Sequence, residues 1–251
     1  MKKFLLSLGI FLFLNIQLRA QAADSSNVYN VFNQPRYHYF FNSVVLFNEY
    51  LDTDNGSYNT TNARLLLPIG DKSWNFRADL PLVSANTNHQ NKTGLGDISA
   101  SVAFIPILGQ HHGLSVKARI YANTAVDPAF GTGKWLFVPT VFYGHYFDKA
   151  KKVLLISSLE YQTSFAGSSN QSDVNTTIFE NAIYWFQGKN WFAVDAAFRY
   201  NNTLDGFQNN AYLEFGRKIT KENMIYIHPS VAFGGEKSYN YGFECGVLIL
   251  F

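Results

Sequence analysis

The chain has 251 residues, 20 Lys and Arg against 18 Asp and Glu, and one cysteine. A lone cysteine excludes an internal disulfide framework. Beyond residue 22 no 18 consecutive residues are apolar, which excludes a spanning helix there. Aromatics make up 17% of the chain, with 15 Tyr and 23 Phe. A membrane barrel accommodates that many on its outer band and in girdles at both interfaces.

The N-terminus reads as an export signal: Lys2-Lys3, an apolar run from Phe4 to Leu14, and the small-x-small pattern Ala20-Gln21-Ala22. Residues 1–22 are expected to be removed. Without Lys2, Lys3 and Arg19 the charge is near zero, 17 basic against 18 acidic residues, so no basic surface speaks for nucleic acid. Residues 23–35 form a polar stretch, read as a periplasmic leader or small plug.

From residue 36 onward the pattern is period two. Twelve strands are expected, at about 37–50, 59–70, 73–83, 95–107, 113–124, 134–147, 152–163, 174–186, 190–201, 208–218, 223–234 and 240–251. Short connections at 70–72, 108–112, 148–151, 187–189 and 219–222 alternate with generally longer Asn-, Ser- and Gly-rich ones. This is the arrangement of outer-membrane barrels, with tight turns in the periplasm and longer loops outside. The fold class expected is therefore all-β: a transmembrane antiparallel up-and-down barrel of about 12 strands, in the outer membrane of a Gram-negative bacterium. The last strand, 240–251, ends on Phe251. It resembles the C-terminal signal read by the barrel assembly machinery, the expected partner alongside outer-membrane lipid.

Several strands sort chemically. Trp74, Phe76, Ala78, Leu80 and Leu82 oppose Ser73, Asn75, Arg77, Asp79 and Pro81. Leu114, Val116, Ala118 and Ile120 oppose Ser115, Lys117, Arg119 and Tyr121. An apolar outside and a charged inside inverts a soluble barrel. The candidate lumen residues on a solute path are Arg77, Asp79, Asp97, Lys117, Arg119, Glu160, Asp195, Arg199, Glu214 and Glu244, with Arg64 and Glu180 on the same inward phase. These charges are expected to pair or be hydrated, because a lone buried charge costs several kcal/mol. Strands one, six and eight do not sort by this rule.

Mid-chain motifs carry a family resemblance. RADLP (77–81) is followed by TGLGDI (93–98), FIP (104–106), GTGKW (131–135), SFAG (164–167), DVN (173–175) and GKNW (188–191). That order resembles the meta-pathway phenol-degradation (MetA-like) family of outer-membrane barrels described as transporters. The resemblance covers roughly residues 64–200, with Val138 and Glu180-Asn181 departing from the pattern. It implies a barrel and a small solute, hydrophobic or aromatic in kind. Within TGLGDI, Gly94 and Gly96 are expected to bend the chain from loop into strand through dihedrals open to glycine.

Other motifs fail as chemistry. GTGKW lacks the upstream Gly and trailing Ser or Thr of a phosphate loop. Asp52-Thr53-Asp54-Asn55-Gly56 lacks the closing Glu of a calcium loop. His111-His112 has no further ligand beside it. The rival reading is a lipid hydrolase built on His228 and Ser230, with Glu244 as orienter. Both side chains share a face with Tyr226 that reads as luminal, whereas lipid would need them outside. The reading favoured by the sequence is a channel for a small solute, with no cofactor, no metal and no catalytic residue; a non-conducting structural barrel is the remaining alternative.

Overall fold

A computed structural model describes residues 31–32 and 39–251. The expected signal segment 1–22 and most of the leader 23–35 lie outside these residues. Twelve antiparallel strands close on themselves: β1 Ser43–Thr53, β2 Gly56–Ile69, β3 Trp74–Thr87, β4 in two pieces (Gln90–Leu95 and Ser99–Leu108), β5 His112–Tyr121 and β6 Lys134–Tyr146. They continue as β7 Val153–Gly167, β8 Asn175–Gln187, β9 Asn190–Asn201, β10 (Gly206–Phe207 and Asn209–Lys218), β11 Asn223–Phe233 and β12 Tyr241–Leu250. β1 pairs with β12 from Ser43↔Leu250 to Leu51↔Gly242, which completes the ring.

The expected inversion of polarity holds. Leu80, Leu82, Ile120, Val141, Phe179, Phe198 and Ile225 lie exposed on the outer face, while Asp79, Arg119, Asp195 and Glu214 are buried inside. Cross-strand register keeps each set on its face. Arg64 sits opposite Asp79, Ser101 opposite Arg119, and His228 opposite Glu244.

The interior is built in storeys, apolar at one end and charged in the middle, with a smaller apolar cluster of Val83, Ala85 and Phe130 toward the other end. Toward the end where β1 begins and β12 finishes, the inward side chains are apolar: Val45, Leu66, Ile105, Tyr146, Leu154, Ile156, Tyr184, Met224 and Leu248. This is why strands one, six and eight did not sort. On β6 the inward series Leu136, Val138, Phe142 and Tyr146, interrupted only by Lys134, Thr140 and Gly144, is nearly as apolar as the outward Phe137, Val141 and Tyr143. What fills that storey comes from upstream of the barrel. Val31, Phe32, Tyr39 and Phe40 are buried in the same cluster, and Tyr39 N–H donates to the Phe32 carbonyl at 3.2 Å. Their seat needs glycine. A Cβ on Gly113 would stand 2.7 Å from both Val31 and Phe32, and one on Gly144 would stand 2.8 Å from Val31. The strand predicted over 37–50 therefore starts only at Ser43, because Tyr39 and Phe40 turn inward instead of joining the wall.

Two of the connections expected to be longer loops are tight. β1 and β2 meet across Asp54-Asn55, and β3 continues to Thr87 before turning at Asn88 and His89, both at positive φ. Two residues in that conformation match the right-handed twist of a hairpin. The predicted bend at Gly94 and Gly96 has another cause: neither has a positive φ. They permit close approach, since a Cβ would come 2.5 Å from Val126 at Gly94 and 2.9 Å from the Phe130 carbonyl oxygen at Gly96.

The longer loop 122–133 is tied to the same place. Asp97 accepts from the backbone N–H groups of Thr124 at 3.1 Å, Ala125 at 3.0 Å and Thr132 at 2.8 Å. At the opposite end, the turn before β7 is closed by Asp148, which accepts from Val153 N–H and Lys152 N–H. Those hydrogen bonds hold its carboxyl below the usual range, so the tie is present at neutral pH and lost as pH falls through the lowered value.

Two outcomes follow from this packing. Val31→Asp would place a carboxylate among apolar groups without a partner, which costs several kcal/mol. The variant should keep the slow-to-fast gel shift of an unboiled barrel while proteases gain access to the chain before Ser43; continued protection would contradict the docked position. Hydrogen bonds to a charged acceptor contribute about 1.5–3 kcal/mol each. Asp97→Ala should therefore speed amide exchange at Thr124, Ala125 and Thr132 by at least about tenfold, leaving the wall amides unchanged.

Candidate functional site: a charged chamber in the barrel

Above the apolar storey the barrel encloses a cavity of about 220 Å³. Its floor is Tyr39, whose backbone carbonyl accepts from Asn75 Nδ2 at 3.1 Å. Arg64 and Arg77 form one part of its wall. Because i and i+2 share a strand face, Arg77 and Asp79 point inward together on β3, and register brings Arg64 opposite Asp79. Arg64 Nε donates to Asp79 Oδ1 at 2.7 Å, and Arg77 donates through Nε to Oδ2 at 2.6 Å and through Nη2 to Oδ1 at 2.8 Å. One carboxylate thus serves two guanidinium groups. Arg64 also stacks over the Phe47 ring, 4.8 Å from its centroid.

β5 adds Lys117 and Arg119. Lys117 Nζ lies 3.5 Å from Glu160 Oε2 and 4.9 Å from the centre of the Phe142 ring. Glu160 further accepts from Thr140 and Gln162, both at 2.9 Å. Arg119 has a different environment. Its Nη1 donates to the Tyr121 hydroxyl at 2.8 Å, yet its Nε–H has no hydrogen-bond partner although the residue is only 8% exposed.

The far side of the barrel is acidic. Glu180 accepts from the Tyr212 hydroxyl at 2.9 Å. Glu214 accepts from Trp191 Nε1 at 2.6 Å, and Glu244 from the Tyr226 hydroxyl at 2.8 Å. Asp195 is buried on β9, directly opposite Tyr212 in register. Apart from Asp79 on β3 and Arg199 on β9, positive groups gather on β2, β3 and β5, and negative groups on β7 to β10 and β12. Such a division sets a field across the bore, stronger where the surroundings are less polar than water.

Of the residues expected along the path, Arg77, Lys117, Arg119 and Glu160 line the chamber itself, together with Arg64 and Glu180, and Asp79 stands behind Arg64 and Arg77. Asp195, Glu214 and Glu244 form the acidic wall beside it. Arg199 is engaged elsewhere, its Nε donating to Asn210 Oδ1 at 2.9 Å. Asp97 organises the loop already described. The ion pairs run along the wall between near neighbours, as Arg64–Asp79–Arg77 and Lys117–Glu160, and not from one side of the interior to the other. Tyr121 was sorted onto the inner face with Arg119, and it lies there; Tyr39, Phe142 and Tyr212 were not anticipated. Tyr212 falls in phase with Glu214, so its inward direction could have been read from that phase. Tyr39 gave no such signal, because it belongs to no strand.

The His228–Ser230 pair faces inward. The His228 ring lies 3.6 Å centroid-to-centroid from Tyr212, with Nδ1 3.7 Å from Glu244 Oε1. Ser230 stands opposite Gly242 on the same inner face. Among the described residues no group of three or more His, Cys, Asp and Glu is arranged to hold a metal ion.

No family model and no curated protein matches the chain. Solved structures resemble it in fold. An outer-membrane channel from Pseudomonas putida F1 superposes with a TM-score of 0.68 at 11% identity, over 84% of this chain and 96% of that one. The NanC porin gives 0.61 at 10% identity over 82% and 98%, and the KdgM porin 0.57 at 9% over 83% and 99%. The chain has the fold of a closed, twelve-stranded, porin-like outer-membrane barrel.

Proposed function

We propose that the protein is an outer-membrane channel that passes a small solute through the charged chamber and is restricted at its periplasmic end by the docked segment around Val31, Phe32, Tyr39 and Phe40. The observation that carries this reading is the partly open cavity of about 220 Å³ between a charged wall and the apolar docked segment. A barrel needing only to be stable would fill its interior throughout, as the lower storey does. Fully burying a side chain of this size contributes about 1.5–3 kcal/mol, while ordering the backbone costs about 1–2 kcal/mol per residue. The two are of the same order, so the segment is held without being locked.

The outward apolar band suits a bilayer, and the porin-like fold supports placement in a bacterial outer membrane after export. The MetA-like resemblance adds a small hydrophobic or aromatic solute to the proposal, consistent with Leu66, Phe142 and Leu248 among the chamber's lining. The end of β12 supports an assembly role. Its edge is ordered against neighbouring chain, with Phe251 N–H donating to the Asn42 carbonyl at 3.0 Å, while the Phe251 ring is exposed. Deleting Phe251 should lower the amount of barrel assembled in the membrane; unaffected assembly would remove that role.

Planar-bilayer recording tests the channel. Wild type should show small, intermittent conductance, and Phe32→Ala with Tyr39→Ala should raise either the open probability or the conductance severalfold. Liposome swelling with small neutral solutes should rank the two proteins in the same order. If neither conducts nor admits any solute, the protein is a structural barrel.

A further inference from the structure

We infer that the chamber is a binding site for a small monocarboxylate with an apolar body, held by the Arg119 guanidinium. The inference rests on the channel reading only for how a solute reaches the chamber. Among the described residues four cations belong to it, Arg64, Arg77, Lys117 and Arg119, against three carboxylates, Asp79, Glu160 and Glu180. That leaves one positive charge in excess among the chamber's own residues and their partners, with Asp195, Glu214 and Glu244 in the wall beside it. Arg64 and Arg77 already share Asp79, and Lys117 has Glu160. Arg119 lines the cavity but forms no ion pair, Asp79 and Glu160 acting on it only from a distance, and its Nε–H is a buried donor without a partner.

A buried donor left unmade is costly, and a charged one more so. A carboxylate supplies what is missing: one negative charge and acceptors suited to the planar guanidinium edge. A cation would meet four unhelpful positive neighbours. A dianion such as phosphate would overshoot the single excess charge and face Glu160 and Glu180. The body of the solute would then rest on Phe142, Leu66 and Leu248, which share the cavity. At about 220 Å³ there is room for a single ring and its carboxylate but not for a chain of sugars.

Three isosteric probes separate charge from shape: benzoate, benzyl alcohol and benzylamine. Their binding to the purified full-length protein would be measured by calorimetry in low-chloride detergent buffer. Benzoate should bind at least about tenfold more tightly than benzyl alcohol, with no measurable benzylamine binding. Added chloride should compete only weakly. Arg119→Gln should lose the benzoate preference while binding the alcohol as before. Tyr121→Phe, which releases a further guanidinium donor, should keep it. Equal affinity for benzoate and benzyl alcohol would overturn the site, as would an unchanged preference in a folded Arg119→Gln. Chloride displacing benzoate at equal concentration would also overturn it, since any small anion would then suffice. The comparison of probes on wild type needs no variant to fold. A protein that conducts but does not prefer benzoate loses the site and keeps the channel; one that prefers benzoate but never conducts keeps the site and loses the channel.

Discussion

Everything in this molecule depends on closing one hydrogen-bonded sheet on itself. In hydrocarbon an unpaired backbone N–H or C=O costs several kcal/mol, so a strand wall is tolerable only without edges. The pairing of β1 with β12 removes the last edge. Once the ring is closed, period-two alternation divides every strand into an outer and an inner set. The outer set must then be mainly apolar, and polar members such as Asn48 with Asn59 and Thr61, or Ser157 with Asn181, are hydrogen-bonded to one another. The inner set is free of that demand, and its composition is where the chain differs from a plain cylinder.

The inner set spends that freedom unevenly. Near the chain ends it is apolar and closed by side chains from outside the sheet; higher up it is charged. The transition is abrupt on β3, where Asn75, Arg77 and Asp79 follow one another on the inner face. Ion pairs in such a place repay their desolvation only when geometry and further hydrogen bonds are good. Asp79 meets that condition with two guanidinium groups, and Glu160 meets it with Lys117, Thr140 and Gln162. Arg119 does not, and the carboxylate site proposed above starts from that difference.

Asp97 shows how a conspicuous motif can be structural. The Gly-Leu-Gly-Asp run reads as a place where something special happens, and what happens is a carboxylate gathering three backbone N–H groups of a neighbouring loop. Its glycines are needed for packing against Val126 and Phe130, not for rare dihedrals. The loop this carboxylate holds packs Phe130 against Val83 and Ala85 on the inner face of β3, above the chamber.

The sequence alone determined the barrel, its strand number and the inward direction of Arg77, Asp79, Lys117, Arg119 and Glu160. Alternation is a local property, set by the two-residue repeat of a strand and by the contrast between hydrocarbon and a polar interior. It failed on strands one, six and eight for the same reason: where the interior is also apolar, as at Phe142 and Tyr146, both faces look alike and the phase disappears. Only the tertiary structure decided which charges meet. Arg64 finds Asp79 through cross-strand register, and Lys117 finds Glu160 from β5 to β7, across the β6 strand that carries Thr140 and Phe142. Only the tertiary structure placed Val31, Phe32, Tyr39 and Phe40 inside the ring, because their seat is made by Gly113, Gly144 and Ile156, residues far along the chain with no pattern of their own. The chamber exists between those two long-range arrangements, and contacts between distant residues are what a local repeat cannot encode.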